Sequence, residues 1–379
     1  MSTDQALATP VIEGELNPFL RYRDRLDSYA RAAAGGIGDH QFVEMVEQLD
    51  ARVAQTCGHG FVATPISPVA DDVDWLDTSM IDLAIKFESA NVGGSHKARH
   101  LFGVALHLLV DHALGTPLPE RLAIASCGNA AVGASIVARA LDAPLDVFVP
   151  SWAEPSVLAE LSDYGAVITK CERREDEAGD PAYLRFREAV AAGARPFSVQ
   201  GTDTPTTFDG GRTLGWEIAD QWGEPDALYI QVGGGALATS TGMALPNARL
   251  YPVQAEGCAP LAAAWDRLAP DFDFDAAAAD PDHYMTPWLD PSSLATGILD
   301  DITYDWLPLL RHVRASGGEP IVTPESSVVE TWQVTHQMST PATCTTGTAG
   351  LSGLRHRLSE PQLGSRERAV VVFSGKHRG

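Results

Sequence analysis

An α/β fold with largely parallel, twisted sheets is what this sequence predicts, and three observations point there. From about Ala123 onward, short β-branched runs alternate with longer segments of helical period. Several runs end in glycine, serine or proline, the residues that turn a strand into the next helix. With 379 residues, 45% of them hydrophobic and 20% charged, the chain can bury two cores of ordinary size.

The strand-like runs, in order, are 82–87, 121–125, 145–149, 166–169, 228–232, 250–254, 320–322 and 369–373. Helical period marks 96–112, 130–141, 154–164, 181–192, 212–222, 326–337 and 346–358. The acidic, Ala- and Pro-rich stretch 270–291, with DFDFDAAAADPD inside it, reads as a surface loop. No repeat of solenoid period is present in the sequence. Ligands of an open parallel sheet bind where strands end, so the strand-to-helix junctions carry the functional reading.

Net charge is −23, a field that repels nucleic-acid phosphates and anionic membranes. A small-molecule partner is expected, with no nucleic acid and no membrane. Cys57, Cys127, Cys171, Cys258 and Cys344 are scattered, without CxxC or a His/Cys cluster, so neither a metal nor a disulfide framework is expected. Residues 1–18 contain acids and no unbroken apolar run, which reads as neither signal peptide nor anchor, and a cytoplasmic location is expected.

Four junctions carry chemistry. The first is KFESANVGGSHKARH, residues 86–100, a strand leading through a Gly-Gly turn into a helix with Lys97 in its first turn. The positive end of a helix, together with partial burial, lowers a lysine pKa from about 10.4 toward neutrality, which suits an amine that must react. A solvated surface lysine is the alternative. Against it stands scarcity, because Lys86, Lys97, Lys170 and Lys376 are the only lysines and arginine supplies most of the positive charge.

The second is ASCGNAAVG, residues 125–133, whose small residues let backbone N–H groups approach a carboxylate, although Ser126 or Asn129 would serve equally well as a helix cap. The third is QVGGGALATSTG, residues 231–242, where three glycines before a helical stretch can cradle a phosphate or simply make a tight connection. Its spacing does not fit the GxGxxG of a dinucleotide site. The fourth is AVVVFSGKHRG, in which Ser374 follows a buried-type strand, a position shared by ligand-binding hydroxyls and ordinary turns.

Together and in this order, the four junctions resemble the fold-type II pyridoxal 5′-phosphate (PLP) enzymes, the superfamily of the tryptophan synthase β-subunit, threonine synthase and cysteine synthase. The resemblance runs from Thr64 to Gly375. It implies two three-layer α/β domains with the cofactor in the cleft between them: a smaller one of residues 97–208, a larger PLP-binding one of 63–96 with 209–379, and an N-terminal extension, 1–62, packing on the core. It implies that Lys97 carries the cofactor as a Schiff base and shuttles protons, with His96 beside it. Ser126, Cys127, Gly128, Asn129 and Ala130 would hold the substrate carboxylate, Asn129 also reaching the cofactor O3′. Gly233, Gly234, Gly235, Ala236 and Leu237 would bind the phosphate, and Ser374 the pyridine nitrogen.

A hydroxyl at that nitrogen weakens the ring as an electron sink and favours elimination or replacement over transamination. The implied activity is a PLP-dependent lyase or synthase acting on an amino acid by β- or γ-elimination or replacement, with threonine synthase-like and ammonia-lyase (dehydratase) chemistry as variants and a homodimer as the assembly. His96 before the lysine is typical of the tryptophan synthase β-subunit, whereas Ala98-Arg99, Cys127-Gly128-Asn129, the three glycines and Thr343–Thr346 depart from the patterns of the named enzymes, so the chain is a divergent member. Two other classes compete: a non-catalytic regulatory relative, which the joint retention of Lys97, Asn129 and Ser374 argues against, and a nucleotide-dependent oxidoreductase, which leaves Lys97 and Ser374 unexplained.

Overall fold

The computed structural model describes residues 17–70, 73–175, 177, 179–336, 343–359 and 366–376. Among these, ten strands are found: β1 (Ile66–Pro68), β2 (Ile81–Phe87), β3 (Leu122–Ala125), β4 (Leu145–Pro150), β5 (Val167–Cys171), β6 (Arg195–Pro196), β7 (Ala227–Gln231), β8 (Arg249–Ala255), β9 (Ile321–Thr323) and β10 (Glu367–Phe373). They form a six-stranded sheet in the order β1-β2-β10-β7-β8-β9 and a four-stranded sheet in the order β5-β4-β3-β6. Apart from the antiparallel β1–β2 pair, neighbours run parallel. The α/β class and the parallel sheets expected from the sequence are therefore present. The chain divides into two compact units.

One unit comprises Thr64–Ala90 and the described residues from Leu214 onward, and holds the six-stranded sheet. Its central strands are buried along almost their whole length, which is why they read as apolar runs. Successive side chains of a strand point to opposite faces. Accordingly, Leu228, Ile230, Val370 and Val372 pack with Leu214, Ile218 and Leu309 in one cluster, while Ala227, Tyr229, Val371 and Phe373 pack with Leu351 and Leu354 in another. Helices thus cover both faces of the sheet, giving three layers. The helix Thr345–Leu358 approaches the sheet through a glycine seam: a Cβ at Gly347 would lie 2.8 Å from Gly375 O, one at Gly350 2.8 Å from Tyr229 O, and one at Gly353 would collide with Val253.

The other unit comprises the described residues up to Ala63 with Asn91–Thr213, and holds the four-stranded sheet. Edge strand β5 exposes Val167, Thr169 and Lys170, a charged and short edge of the kind that discourages further pairing. The helix Asp39–Cys57 buries Phe42, Val46, Leu49 and Val53 on one face and packs on the helix Asn129–Ala140. Phe19 meets Phe102 at 4.4 Å and Phe61 at 5.2 Å between ring centroids, fixing the N-terminal segment to the helix Lys97–Ala113. Buried Asp209 accepts hydrogen bonds from the N–H groups of Asp27 and Ser28, both at 2.9 Å, from His107 Nε2 at 2.9 Å and from Arg212 at 2.6 Å. These donors hold its carboxyl down at about 2 against the desolvation that opposes them.

The stretch 270–291, expected as a loop, contains two short helices, Phe274–Ala279 and Pro281–Tyr284. Their cause is local. The Asp273 carboxylate accepts from the N–H groups of Asp275 and Ala276, and Pro281 fits the first helical position.

Candidate active site

The four lysines differ sharply in surroundings. Lys86 is fully buried in β2 and pairs with Glu217 at 2.7 Å, also donating to Thr64 O and Gln221 Oε1 at 2.7 Å each. Lys170 and Lys376 are exposed. Lys97 is half-buried and opens the helix Lys97–Ala113, its N–H directed at Ser95 Oγ at 3.4 Å. The approach is built by Asn91, whose side chain accepts from Val92 N at 2.8 Å, and by Gly93 at φ 66°.

His96 precedes the helix, is buried, and meets the His100 ring edge-on at 5.6 Å between centroids. Burial, followed by the Lys97 charge, pushes His100 down to about 3, so it is a neutral imidazole that donates from Nδ1 to Thr207 O at 3.0 Å.

In the same unit, Ser126, Cys127, Gly128, Asn129 and Ala130 form the half-exposed turn between β3 and the helix Asn129–Ala140. Ser126 Oγ accepts from Gly128 N at 3.3 Å, and a Cβ on Gly128 would meet nothing within 4 Å. One turn into that helix, Gly133 abuts the Lys97 helix, where a Cβ would lie 3.2 Å from Ala98 N. The starts of the two helices, one bearing Lys97 and the other the predicted carboxylate loop, are thus brought together.

In the unit with the larger sheet, Gly233–Gly235 leave β7 and Ala236 begins the helix Ala236–Ala244. Gly235 has φ 103°, and a Cβ on Gly233 would strike the Asp300 carboxylate and come within 3.0 Å of Ile298 Cα. The turn is held by Asp305 N donating to Gly234 O at 2.8 Å. A glycine cradle opening onto the first-turn N–H groups of a buried helix suits a phosphate, so the residues present fit the phosphate end of PLP.

Ser374 follows β10, the strand beside β7. Its Oγ accepts from Gln231 Nε2 at 2.5 Å, and its N–H donates to Gly347 O at 3.3 Å. Gln231, the last residue of β7, heads the third motif of the sequence but was given no role there, its signal being a lone amide closing an apolar strand. Near Ser374, the Cys344 thiol caps the helix Thr345–Leu358 by accepting from Gly347 N at 3.2 Å, and burial raises its pKa. The next two residues tie to the 294–297 segment: Thr345 Oγ1 donates to Leu294 O at 2.6 Å and Gly297 N donates to Thr346 Oγ1 at 2.9 Å. Among the described residues, no group of three or more His, Cys, Asp or Glu side chains is arranged to hold a metal ion.

Residues 64–375 match the family model described as pyridoxal-phosphate dependent enzyme. The chain is 29% identical over 198 residues to phenylserine dehydratase of Ralstonia pickettii, covering 50% of this chain and 56% of that protein. It is 26% identical over 179 residues to L-threonine ammonia-lyase of Thermotoga maritima, covering 46% and 42%. The chain thus spans about half the length of these curated relatives. Among solved structures, maize serine racemase aligns with a TM-score of 0.67 at 17% identity over 89% of this chain and 93% of that one. Threonine deaminase isoform 2 of Solanum lycopersicum aligns at 0.65 and 15% identity over 90% and 91%. At such identities these structures speak for the fold.

Proposed function

The chain belongs to the family of pyridoxal-phosphate dependent enzymes, and on that premise we propose that it releases ammonia from an amino acid bearing a hydroxyl or similar leaving group at Cβ. One observation carries the proposal: the helix that opens with Lys97 and the helix that opens with the Ser126–Ala130 turn touch at their first turns. An amine and a carboxylate-binding loop at one place suit an amino acid held by its carboxylate with its α-carbon toward a base.

When bound, the cofactor supplies an electron-withdrawing ring that stabilises negative charge at Cα. Lys97 Nζ would hold the cofactor aldehyde and would serve as the base that takes the α-proton of the substrate. The Ser126–Ala130 turn fixes the carboxylate through backbone N–H groups and Asn129. Gly233–Leu237 would hold the phosphate and Ser374 the ring nitrogen, with His96 next to Lys97 in the chain. Loss of the α-proton and of the β-hydroxyl as water leaves an enamine, whose hydrolysis consumes one water and yields a 2-keto acid and ammonia. Relatives named for phenylserine, threonine and L-threo-3-hydroxyaspartate support a β-hydroxy amino acid as the substrate class.

Cys57, Cys127, Cys171, Cys258 and Cys344 form no disulfide, and a cytoplasmic location is part of the proposal. No described helix is long and apolar enough to cross a membrane. A homodimer is the assembly we propose by analogy with the superfamily, checked by light scattering of the purified protein.

The test is incubation of PLP-loaded protein with L-serine, L-threonine, phenylserine and 3-hydroxyaspartate, followed by assay of ammonia and keto acid. Ammonia and the matching keto acid are expected in equal amounts, and are lost in Lys97→Ala. Formation of product only when an external thiol or amine is added would replace elimination by β-replacement.

A further inference from the structure

We propose that Trp152 is a specificity-determining residue, whose indole packs on the Cβ substituent of the substrate and selects an aromatic β-hydroxy amino acid. The inference rests on the reading of Ser126–Ala130 as the turn that holds the substrate carboxylate.

Eight tryptophans occur in the chain, and all but Trp152 are buried or half-buried. Trp152 is 74% exposed. Among the described residues, no ring or guanidinium stacks on it. Leaving so large an apolar surface in water forgoes the burial that an indole normally gains. Tryptophan is also among the residue types most enriched where a binding partner completes that burial.

Its place in the fold says what completes it. β4 ends at Pro150, and Ala153 N donates to Pro150 O at 3.1 Å, so Trp152 sits in the turn that follows the strand. β3 and β4 are parallel neighbours, with Ala125 beside Phe148. Ser126 continues that ladder, its N–H donating to Phe148 O at 3.1 Å. The carboxylate turn and the Trp152 turn therefore leave adjacent strands at the same end of one sheet, the end at which open parallel sheets bind ligands. The helices that follow the two turns, Asn129–Ala140 and Pro155–Asp163, pack on one another. Space beside the carboxylate turn is open, since a Cβ on Gly128 would meet nothing within 4 Å.

An amino acid held in that turn by its carboxylate has its Cβ substituent free to extend along the sheet end toward Trp152. A methyl group gives an indole little to pack on. A phenyl ring offers a flat face and an edge, and either an offset stack or an edge-to-face contact buries apolar area on both partners.

The experiment uses PLP-loaded wild type, Trp152→Ala and Trp152→Phe. Its first readout is equilibrium dialysis with radiolabelled L-phenylalanine and L-alanine, since neither carries a leaving group at Cβ. Wild type should bind phenylalanine at least about tenfold more tightly than alanine. Trp152→Ala should lose most of that preference, and Trp152→Phe should keep most of it. The second readout is the ratio of kcat/KM for phenylserine to that for threonine, followed as ammonia, which should fall by about tenfold in Trp152→Ala. A phenylalanine preference equal in all three proteins overturns the inference. So does a change of oligomeric state in Trp152→Ala with that preference intact, which would assign the indole to a protein partner. Asn129→Ala should weaken the binding of both amino acids alike; if both bind as in wild type, the carboxylate reading falls and this inference with it. Phenylalanine selected through Trp152, with no ammonia from any β-hydroxy amino acid, would leave the inference standing and remove the elimination reading alone.

Discussion

Lys86 Nζ lies 2.7 Å from Glu217 Oε2, with the two side chains 0% and 1% exposed. Its other partners, Thr64 O and Gln221 Oε1, are acceptors, so three acceptors meet the three protons of an ammonium. A lysine satisfied in this way is committed to the fold and has no lone pair to offer an aldehyde.

Borohydride reduction of the PLP-loaded protein should therefore link the cofactor to Lys97 and leave Lys86, Lys170 and Lys376 unlabelled, as peptide mapping will read. Lys86→Met should instead cost about 3–5 kcal/mol of stability by leaving Glu217 buried and unpaired. Denaturant unfolding measures that loss, and a stability unchanged from wild type would contradict the ion pair.

The two glycine turns should separate in behaviour. Gly233→Ala drives a Cβ into Asp300 and Ile298, so PLP affinity should fall by about tenfold or more in titrations of the apoprotein. Gly128→Ala meets nothing within 4 Å, so fold and cofactor affinity should be retained. The added methyl intrudes on the proposed carboxylate site, and KM for the amino acid should rise with kcat little changed.

His100 titrates near 3 when folded and near 6.5 when unfolded, so between those values the unfolded chain binds the extra proton. Stability should rise with pH across that window, by at most about 1.4 kcal/mol per unit from this residue, and its contribution is lost as pH falls. His100→Gln should flatten the slope between about pH 4 and 6 in urea titrations. A slope identical to wild type would mean that the imidazole is not held neutral.

For Asp209 the window is lower. Its folded pKa of about 2 lies below the ordinary 3.8, so the stability it contributes is complete above 3.8 and disappears as pH falls toward 2. Asp209→Asn should destabilise by about 3 kcal/mol at neutral pH, because Arg212 and His107 lose their shared anion. Thermal unfolding of the variant checks it.

Much of the fold was legible because the central parallel strands of the larger sheet are buried on both faces. Runs such as Val370–Phe373 announce themselves by continuous apolarity, and their observed limits differ from the expected ones by a residue or two. Strands β1 and β6, of three and two residues, are too short to show any period. The helix Asp39–Cys57 was passed over although Phe42, Val46, Leu49 and Val53 recur at helical spacing, a signal that was present and unused. The glycine junctions and Lys97 stood out in the sequence as glycine runs at strand ends and a scarce lysine. Gln231 and Asp209 did not, because a polar side chain betrays its partner only once the chain has brought the two together.

One such partnership also bears on the order of events during synthesis. The N–H groups that open the helix Asp27–Ala34 are completed by a carboxylate that follows them by 182 and 181 residues. At translation rates of about 5–20 residues per second, Asp209 leaves the ribosome roughly ten to forty seconds after Asp27. Until then the helix start must rely on water for its hydrogen bonds, so these caps are completed only by residues synthesised much later.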